Sequence, residues 1–186
     1  MDYYTNIEQF LAHSEKRAFI MARLATCDDE VALDIVQDAM LKLVSKYSNK
    51  QSNEWPPLFY RILQSRINDW HRKQSVRNRW RSWLGHTSKE SNHDDELQDS
   101  RLENYSIESD IQPQQVADDL EFRQALQNAI SQLPVRQQQA FLLRAWEGYS
   151  TIETAKIMGC TQGSVKTHYS RAMARLRKEL QEFSYE

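Results

Sequence analysis

Residues 162–178 carry the amide, hydroxyl and cationic side chains that proteins use to contact DNA. Five basic residues and no acidic residue lie in the segment from Lys166 to Lys178. Such groups near the start of a helix can bond to base edges and to phosphates. An ordinary solvated helix end is the competing interpretation, since cations near a C-terminus also suit the helix dipole. The predicted contact residues are Gln162, Ser164, Lys166, Thr167, Ser170, Arg171 and Arg175.

A second basic segment, 61–81, contains seven arginines and lysines against a single acid, Asp69. Aromatic residues are interleaved with it and precede it. They are Trp55, Phe59, Tyr60, Trp70, Trp80 and Trp83. This mixture can bind single-stranded nucleic acid, because unpaired bases stack on rings while cations hold the backbone. Rings that fill a core are the alternative, and we expect that role for Phe59 and Tyr60.

Three polar residues and a leucine share one face of a predicted helix in the first third of the chain. Asp34, Gln37, Asp38 and Leu41 fall at positions i, i+3, i+4 and i+7. Side chains at this spacing lie on the same side of an α-helix. A partner surface and a plain solvated face both explain the pattern, and from the residues alone the solvated face is favoured.

The sequence contains none of the residue patterns that are typical of catalytic sites. Cys27 and Cys160 are far apart and are expected to be reduced thiols. The five histidines form no metal-binding pair, and there is no glycine-rich phosphate loop or nucleophile elbow. We therefore expect no catalytic residues, no metal, no cofactor and no small-molecule substrate.

The charge of the chain is unevenly distributed. Residues 88–121 hold eleven acids and two bases, so this segment carries a charge of −9. Because the whole chain has a formal charge of −2, the remainder carries +7. No apolar run approaches the roughly 18 residues that span a bilayer, and the N-terminus lacks the pattern of a secretory signal. We expect a cytoplasmic protein without membrane insertion, with two basic bodies joined by an acidic linker.

The elements that would position the candidate residues are helices. Apolar residues recur every three or four positions from Ile7 to Leu24, and again along a second helix that Asp28 or Asp29 caps. We expect the apolar side of that second helix to comprise Val31, Leu33, Ile35, Val36, Met40, Leu41 and Val44. Residues 48–54 are predicted to be an exposed loop. A third helix runs from about Leu58 towards Trp83, with two prolines in its first turn.

The C-terminal part has its own helical signals. Periodicity returns at Val116, Pro134 opens a further helix, and Gly148 ends it. Ser150 and Glu153 form a predicted capping box, Gly159 stops that helix, and Thr161 caps the next one. The apolar stripe of the last helix is Val165, Tyr169, Ala172 and Leu176. The two short helices with their tight turn predict a helix-turn-helix.

The predicted fold is therefore all-α, with two small helical domains at 1–84 and 116–186. Residues 85–115 are polar and acidic without a sustained period, and we expect a flexible linker there.

With these motifs in order, the chain resembles an extracytoplasmic-function sigma factor of the sigma-70 family of bacterial RNA polymerase. Residues 32–38 (ALDIVQD) resemble region 2.2 of the family, and 55–81 resemble regions 2.3 and 2.4. Segments of the C-terminal part match region 4 in order and spacing. They are 133–138 (LPVRQQ), 141–144 (FLLR), 147–150 (EGYS), 163–166 (GSVK) and 171–172 (RA).

The resemblance implies a role for each part of the chain. Asp34, Gln37, Asp38 and Leu41 would bind the clamp helices of the polymerase β′ subunit, and the β subunit would be a further contact. The loop at 48–54 and the following helix would capture the unpaired −10 element. Its residues there would be Asn49, Lys50, Asn53, Trp55, Arg61, Arg66, Arg72 and Lys73. Residues 162–171 would read the −35 element, the acidic linker would pass through the polymerase, and an anti-sigma factor would be a further partner.

Some residues depart from the pattern of the family, and they limit what the resemblance carries. Met40 stands where an aromatic is usual, Ile152 and Thr154 exchange polar and aliphatic positions, and His168 and Tyr169 are atypical. The sequence preference at −35 is therefore not transferable.

The expected function is a promoter-specificity factor that recruits polymerase and helps melt DNA. The alternatives are a dimeric helix-turn-helix repressor or activator, a helical RNA-binding or adaptor protein and, last, a nucleic-acid enzyme.

Overall fold

A computed structural model describes residues 4–84 and 113–183, and both ranges are built from helices without strands. The predicted all-α fold class is confirmed. The flexible acidic linker expected at 85–115 lies almost wholly outside the described residues.

The N-terminal helix group consists of three helices joined by short connections. They are α1 (Ile7–Thr26), α2 (Asp29–Tyr47) and α3 (Trp55–Leu84). The side chain of Asp28 accepts a hydrogen bond of 3.0 Å from the backbone N–H of Val31, which makes it the N-cap of α2. The two prolines lie in the first turn of α3, where their missing N–H groups leave no helical bond unmade.

Large apolar side chains at the centre of this group hold the three helices together. The fully buried ones are Phe10, Met21, Leu43, Phe59, Leu63 and Ile67. Burial of each such side chain is worth about 1.5–3 kcal/mol. The expectation that Phe59 and Tyr60 are structural is confirmed, since both are buried.

The sequence suggested that the apolar residues of α2 form one side of the helix, but in the structure they do not. Ile35 and Val36 are buried, whereas Leu33, Leu41 and Val44 are 47%, 68% and 41% exposed. The expectation of a single buried side is therefore wrong for the last three. The small residues Ala32 and Ala39 take part in the core instead, because they allow α2 to approach its neighbours closely.

The C-terminal helix group contains four helices and two short irregular turns. They are α4 (Pro113–Ser131), α5 (Val135–Phe141), a π-helical turn (Leu142–Trp146), α6 (Thr151–Met158), α7 (Gln162–Glu179) and a 3₁₀ turn (Gln181–Phe183). Pro134 precedes α5 as its N-cap rather than being its first residue. Gly148 has a φ of +74° after the π turn, as expected of a glycine that ends a helix.

The two helix groups pack against each other, with α6 against α3 and α4 against α1. Their buried side chains form a continuous cluster. In the described part of the chain, the helices are too short or too polar to cross a membrane.

Candidate functional site

Local hydrogen bonds fix the helix-turn-helix formed by α6 and α7. The backbone N–H of Ser150 donates to Glu153 Oε2 at 2.8 Å, and the N–H of Glu153 donates to Ser150 Oγ at 3.2 Å. The hydrogen bonds from Ser150 lower the pKa of the Glu153 carboxyl. Gly159 adopts the left-handed conformation at a φ of +62°, and Thr161 Oγ1 accepts from the N–H of Ser164 at 3.1 Å. All four predicted capping roles are confirmed.

The stripe predicted for α7 holds this helix against the C-terminal group. Val165, Ala172 and Leu176 are buried, and Tyr169 is half-buried. The guanidinium carbon of Arg144 lies 5.5 Å from the centre of the Tyr169 ring, a cation–π contact. Tyr169 therefore acts in packing, although a tyrosine is atypical of the family pattern at this position.

The opposite side of α7 presents the predicted DNA contacts to solvent. Six of the seven candidates are exposed, and Ser164 is half-buried. Two hydroxyls are already engaged, because Ser164 Oγ is 2.9 Å from Thr161 Oγ1 and Thr167 Oγ1 donates to the carbonyl of Gly163 at 3.0 Å. The side chains of Gln162, Lys166, Ser170, Arg171 and Arg175 bond to no other described residue. They form a face of amide and cationic groups that have no partners among the described residues.

The loop between α2 and α3 exposes Asn49, Lys50 and Asn53. Hydrogen bonds inside the loop shape it, since the N–H of Lys50 donates to the carbonyl of Tyr47 at 3.0 Å and that of Gln51 to Glu54 Oε2 at 3.2 Å. Lys50 Nζ is also 3.5 Å from Glu54 Oε1.

The structure corrects the role predicted for Trp55. This residue was expected to contact DNA, but it is only 7% exposed and its indole N–H donates to the carbonyl of Tyr47 at 3.2 Å. Its ring packs 6.4 Å from that of Phe10. Trp55 therefore holds the base of the loop against the core and offers no free face on which a base could stack.

The basic side of α3 is exposed at Arg61, Arg72 and Lys73. Arg66 is half-buried and lies 3.8 Å from Asp38 of α2, while Arg72 is 3.1 Å from Asp69 within α3. Both pairs are exposed enough for solvent to screen them, and each contributes little to stability.

The aromatic residues along α3 differ in their surroundings. Trp70 is half-buried with its ring 4.9 Å from His71, and Trp80 is 58% exposed. The side chain of Trp83 lies outside the described residues.

The four candidates on α2 do lie on one surface. Asp34, Gln37 and Asp38 are exposed, and Leu41 is 68% exposed beside them. Leu33 and Val44 extend the apolar part of that surface, which we call the α2 face (Leu33, Asp34, Gln37, Asp38, Leu41 and Val44). Exposed apolar side chains grouped with acids are typical of a surface that a partner covers.

Several polar residues that sequence reasoning passed over are buried, and Gln138, Gln139 and Glu147 among them bond across the junction of the helix groups. Gln137, Gln138 and Gln139 are all buried, and the side chain of Glu147 is only 7% exposed. Gln138 Nε2 donates to the carbonyl of Leu24 at 2.9 Å. A run of three glutamines inside a helix was the available signal, but nothing local indicates that it faces another group of helices.

Residues 123–176 match the family Sigma-70, region 4. The chain is 29% identical over 150 residues to the RNA polymerase sigma-E factor of Streptomyces antibioticus, covering 81% of this chain and 71% of that protein. It is 41% identical over 56 residues to the ECF RNA polymerase sigma factor SigM of Mycobacterium tuberculosis, covering 30% and 29% of the two chains.

Two solved structures share the fold. One is the sigma factor RpoE in complex with the anti-sigma factor NepR from Bartonella quintana, with a TM-score of 0.63, 23% identity and coverage of 94% of this chain and 96% of that one. The other is CnrH in complex with the cytosolic domain of CnrY, with a TM-score of 0.60, 17% identity and coverage of 96% and 89%.

Proposed function

Since this chain belongs to the sigma-70 family, in its extracytoplasmic-function group, we propose that it binds core RNA polymerase and directs it to promoters with −35 and −10 elements. Members of this family are transcription-initiation factors, so the chain is not an enzyme. The observation that carries the proposal is the exposed face of α7, whose amide and cationic groups have no partner in the part of the chain that the structure describes, while its other side is packed.

The −35 element is read by α7 from its N-terminal half. Gln162 and Lys166 stand on the first turns, where a recognition helix meets base edges in the major groove. Arg171 and Arg175 extend the cationic surface along the helix, where they contact phosphates. With Ser164 and Thr167 bonded internally, the amide and the cations carry more of the contact than the sequence alone suggested.

The −10 element is captured by the loop at 48–54 and the exposed basic side chains of α3. Flipping a base out of a duplex costs a few kcal/mol, and a stacking or polar pocket must repay it. Because Trp55 is buried, the polar side chains Asn49, Lys50 and Asn53 hold the separated strand, and Arg61 and Lys73 hold its phosphates. Melting therefore depends on several such contacts acting together in the holoenzyme.

The α2 face binds the clamp helices of the β′ subunit. Its acids supply charge, and its exposed leucines supply apolar area that water would otherwise surround. Asp38 also lies 3.8 Å from Arg66, so the polymerase contact and the DNA contact are neighbours on α2 and α3.

The remaining parts of the chain fit the same function. We propose domains at 1–84 and 116–186, an acidic linker that follows a channel of the polymerase, and action in the cytoplasm, where the polymerase works. Of the two solved structures named above, the sigma factor RpoE is bound to the anti-sigma factor NepR, and CnrH is bound to the cytosolic domain of CnrY. We propose that this chain also has an anti-sigma partner.

Run-off transcription with purified core polymerase tests the proposal. The protein should co-purify with core and direct initiation at genomic promoters. Replacing Asp34, Gln37 and Asp38 together with alanine should abolish core binding while helicity is kept. The matched control replaces Glu8 and Glu15, two exposed acids of α1, and should bind core normally. Failure of the unmodified protein to bind core or to initiate anywhere would refute the function.

DNA binding by the free protein distinguishes the proposed sigma factor from a dimeric repressor or activator. A dimer predicts tight binding to a palindromic duplex in the absence of polymerase. The proposed sigma factor predicts weak binding, because the two DNA-reading surfaces need the polymerase to fix their spacing.

A further inference from the structure

The side of α7 that lies farthest from the protein core is a row of four small residues. Each of them precedes by two residues a member of the apolar stripe that begins at Val165. Two residues correspond to about 200° of turn in an α-helix, so the row lies almost opposite the packed side. All four members are exposed. We call them the outer row (Gly163, Thr167, Ser170 and Ala174).

Longer side chains stand on both flanks of the outer row. Gln162 and Lys166 lie on one flank, and Arg171 and Arg175 lie on the other. When a recognition helix enters the major groove, its outermost residues come closest to the base edges, and cations on its flanks reach the phosphates. Because the outer row is short, the backbone of α7 can approach the floor of the groove closely.

Thr167 is the member of the outer row with a branched side chain. Its Oγ1 donates to the carbonyl of Gly163 at 3.0 Å, four residues earlier in the same helix. A hydroxyl has one proton to donate, so Thr167 has no donor left for an acceptor on a base. The side chain as a whole is exposed. With its oxygen bonded to the helix backbone, the group that Thr167 offers to a ligand is its methyl group, Cγ2.

Gly163 lies one turn before Thr167 and leaves the space beside that methyl group open. A Cβ at Gly163 would meet Thr161 Oγ1 at 3.8 Å, an ordinary contact, and no other described atom within 4 Å. The backbone of Gly163 is also outside the left-handed region. The described part of the fold therefore does not require glycine here. Glycine is the usual residue where a ligand approaches the backbone closely. We call Gly163 and Thr167 the α7 notch.

The chemistry of the α7 notch matches one of the four DNA bases. In the major groove, guanine, adenine and cytosine present hydrogen-bonding groups, whereas thymine also presents an apolar group, its 5-methyl. A threonine methyl group is one of the apolar groups that contact the thymine methyl in protein–DNA complexes. Residues at positions i and i+4 are neighbours on the helix surface, so a methyl group over Gly163 lies against Thr167 Cγ2.

We propose that the α7 notch receives the 5-methyl group of one thymine in the −35 element, which makes Thr167 a specificity-determining residue. The inference rests on the proposed function, because it concerns the contact of α7 with that element. The flanking amide and cations hold the helix in the groove, and the notch selects thymine at one position.

Deoxyuridine tests the inference on the DNA side, because it differs from thymidine only by the missing 5-methyl group. The probe is the promoter that run-off transcription identifies, with each −35 thymine on either strand replaced in turn by deoxyuridine. Binding of the holoenzyme is measured by competition in gel-shift assays. At one position the replacement should weaken binding about fourfold, the effect of losing one buried methyl group.

Two substitutions of Thr167 separate its methyl group from its oxygen. Thr167→Ser keeps the hydroxyl and removes the methyl, so the ratio of thymine to uracil binding at that position should fall from about four to about one. Thr167→Val keeps a methyl and removes the oxygen, so the ratio should stay near four. Thr5→Ser is the matched control, since Thr5 is also exposed with its hydroxyl bonded four residues away, and it should keep the ratio of the unmodified protein.

Gly163→Ala fills the α7 notch with a methyl group of its own. It should weaken binding to the thymine promoter about tenfold, since an extra methyl crowds a close contact. Deoxyuridine at the sensitive position should restore most of the loss, because the crowded methyl is then absent from the DNA. The free energy of unfolding should not fall, as the added Cβ has room in the free protein. An equal loss on both DNAs would overturn the notch.

The outcomes separate the inference from the proposed function. Tolerance of deoxyuridine at every −35 thymine, with base-pair changes in that element still harmful, would overturn the inference and leave the function standing. A ratio that survives Thr167→Ser and is lost in Thr167→Val would overturn it as well, because the oxygen would then be the reading group. Initiation that no base-pair change near −35 affects would instead refute the proposed reading of that element by α7.

Discussion

We predict that Leu41 contacts a partner protein, whereas Leu43 on the same helix stabilises the fold. It is 68% exposed on the α2 face, whereas Leu43, two residues away, is fully buried. Replacing leucine with alanine removes three carbons, worth about 2.4 kcal/mol when they are taken completely out of water. Since about two thirds of Leu41 remains to be covered, Leu41→Ala should weaken core binding by about 1.6 kcal/mol, or about fifteenfold in Kd.

Leu43→Ala is the matched control, and its effects should be reversed. It should lower the free energy of unfolding by about 2–5 kcal/mol, because it leaves a cavity in the core. Leu41→Ala should change that free energy by less than about 0.5 kcal/mol. Binding is measured by fluorescence titration of labelled protein with core polymerase, and stability by urea denaturation. An unchanged Kd for Leu41→Ala, or an equal loss of stability in both variants, would refute the reasoning.

Further predictions concern the local geometry of the helices and its dependence on pH. Cys27 has a φ of +54° at the end of α1, so Cys27→Gly should raise the free energy of unfolding by about 0.5–1 kcal/mol, seen as a higher urea midpoint. Ser150→Ala should cost about 1 kcal/mol through loss of the capping box. The pKa of Glu153 is lowered in the folded state, so its contribution is present above the ordinary carboxyl pKa and is lost as pH falls through the folded value. The penalty of Ser150→Ala should accordingly shrink in acid, and a constant penalty would contradict this. Burial lowers the pKa of His71, so the unfolded chain binds that proton more readily, and stability should fall as pH drops below the ordinary histidine pKa. His71→Asn should flatten that slope in urea titrations at several pH values.

Local rules predicted most of the helix ends correctly. Asp28, Ser150 and Thr161 accept backbone hydrogen bonds where the sequence placed caps, and Gly148 and Gly159 adopt positive φ where it placed stops. These features depend on three or four neighbouring residues, so the sequence contains everything that determines them.

The same local rules could not predict contacts between distant segments of the chain. The ring of Trp55 was assigned to DNA because it adjoins a basic segment, yet the nearby carbonyl of Tyr47 and the ring of Phe10 place it in the core. Glu147 was read as part of a motif, and its partners Arg17 and Tyr60 are 130 and 87 residues away. Neither spacing nor composition indicates such pairings, because they arise only when two groups of helices meet.

The two sides of α2 show why the candidate site was only partly predictable. Periodicity detects apolar residues on a helix but does not distinguish those covered by the same chain from those covered by another. Ile35 and Val36 face the core, while Leu33, Leu41 and Val44 face solvent beside acids. The exposed parts of these three large apolar side chains stay in water, where they add nothing to the chain's own folding and favour aggregation. Such an arrangement is explained when another protein covers the surface, and the α2 face is therefore the strongest evidence from packing that this factor works in an assembly.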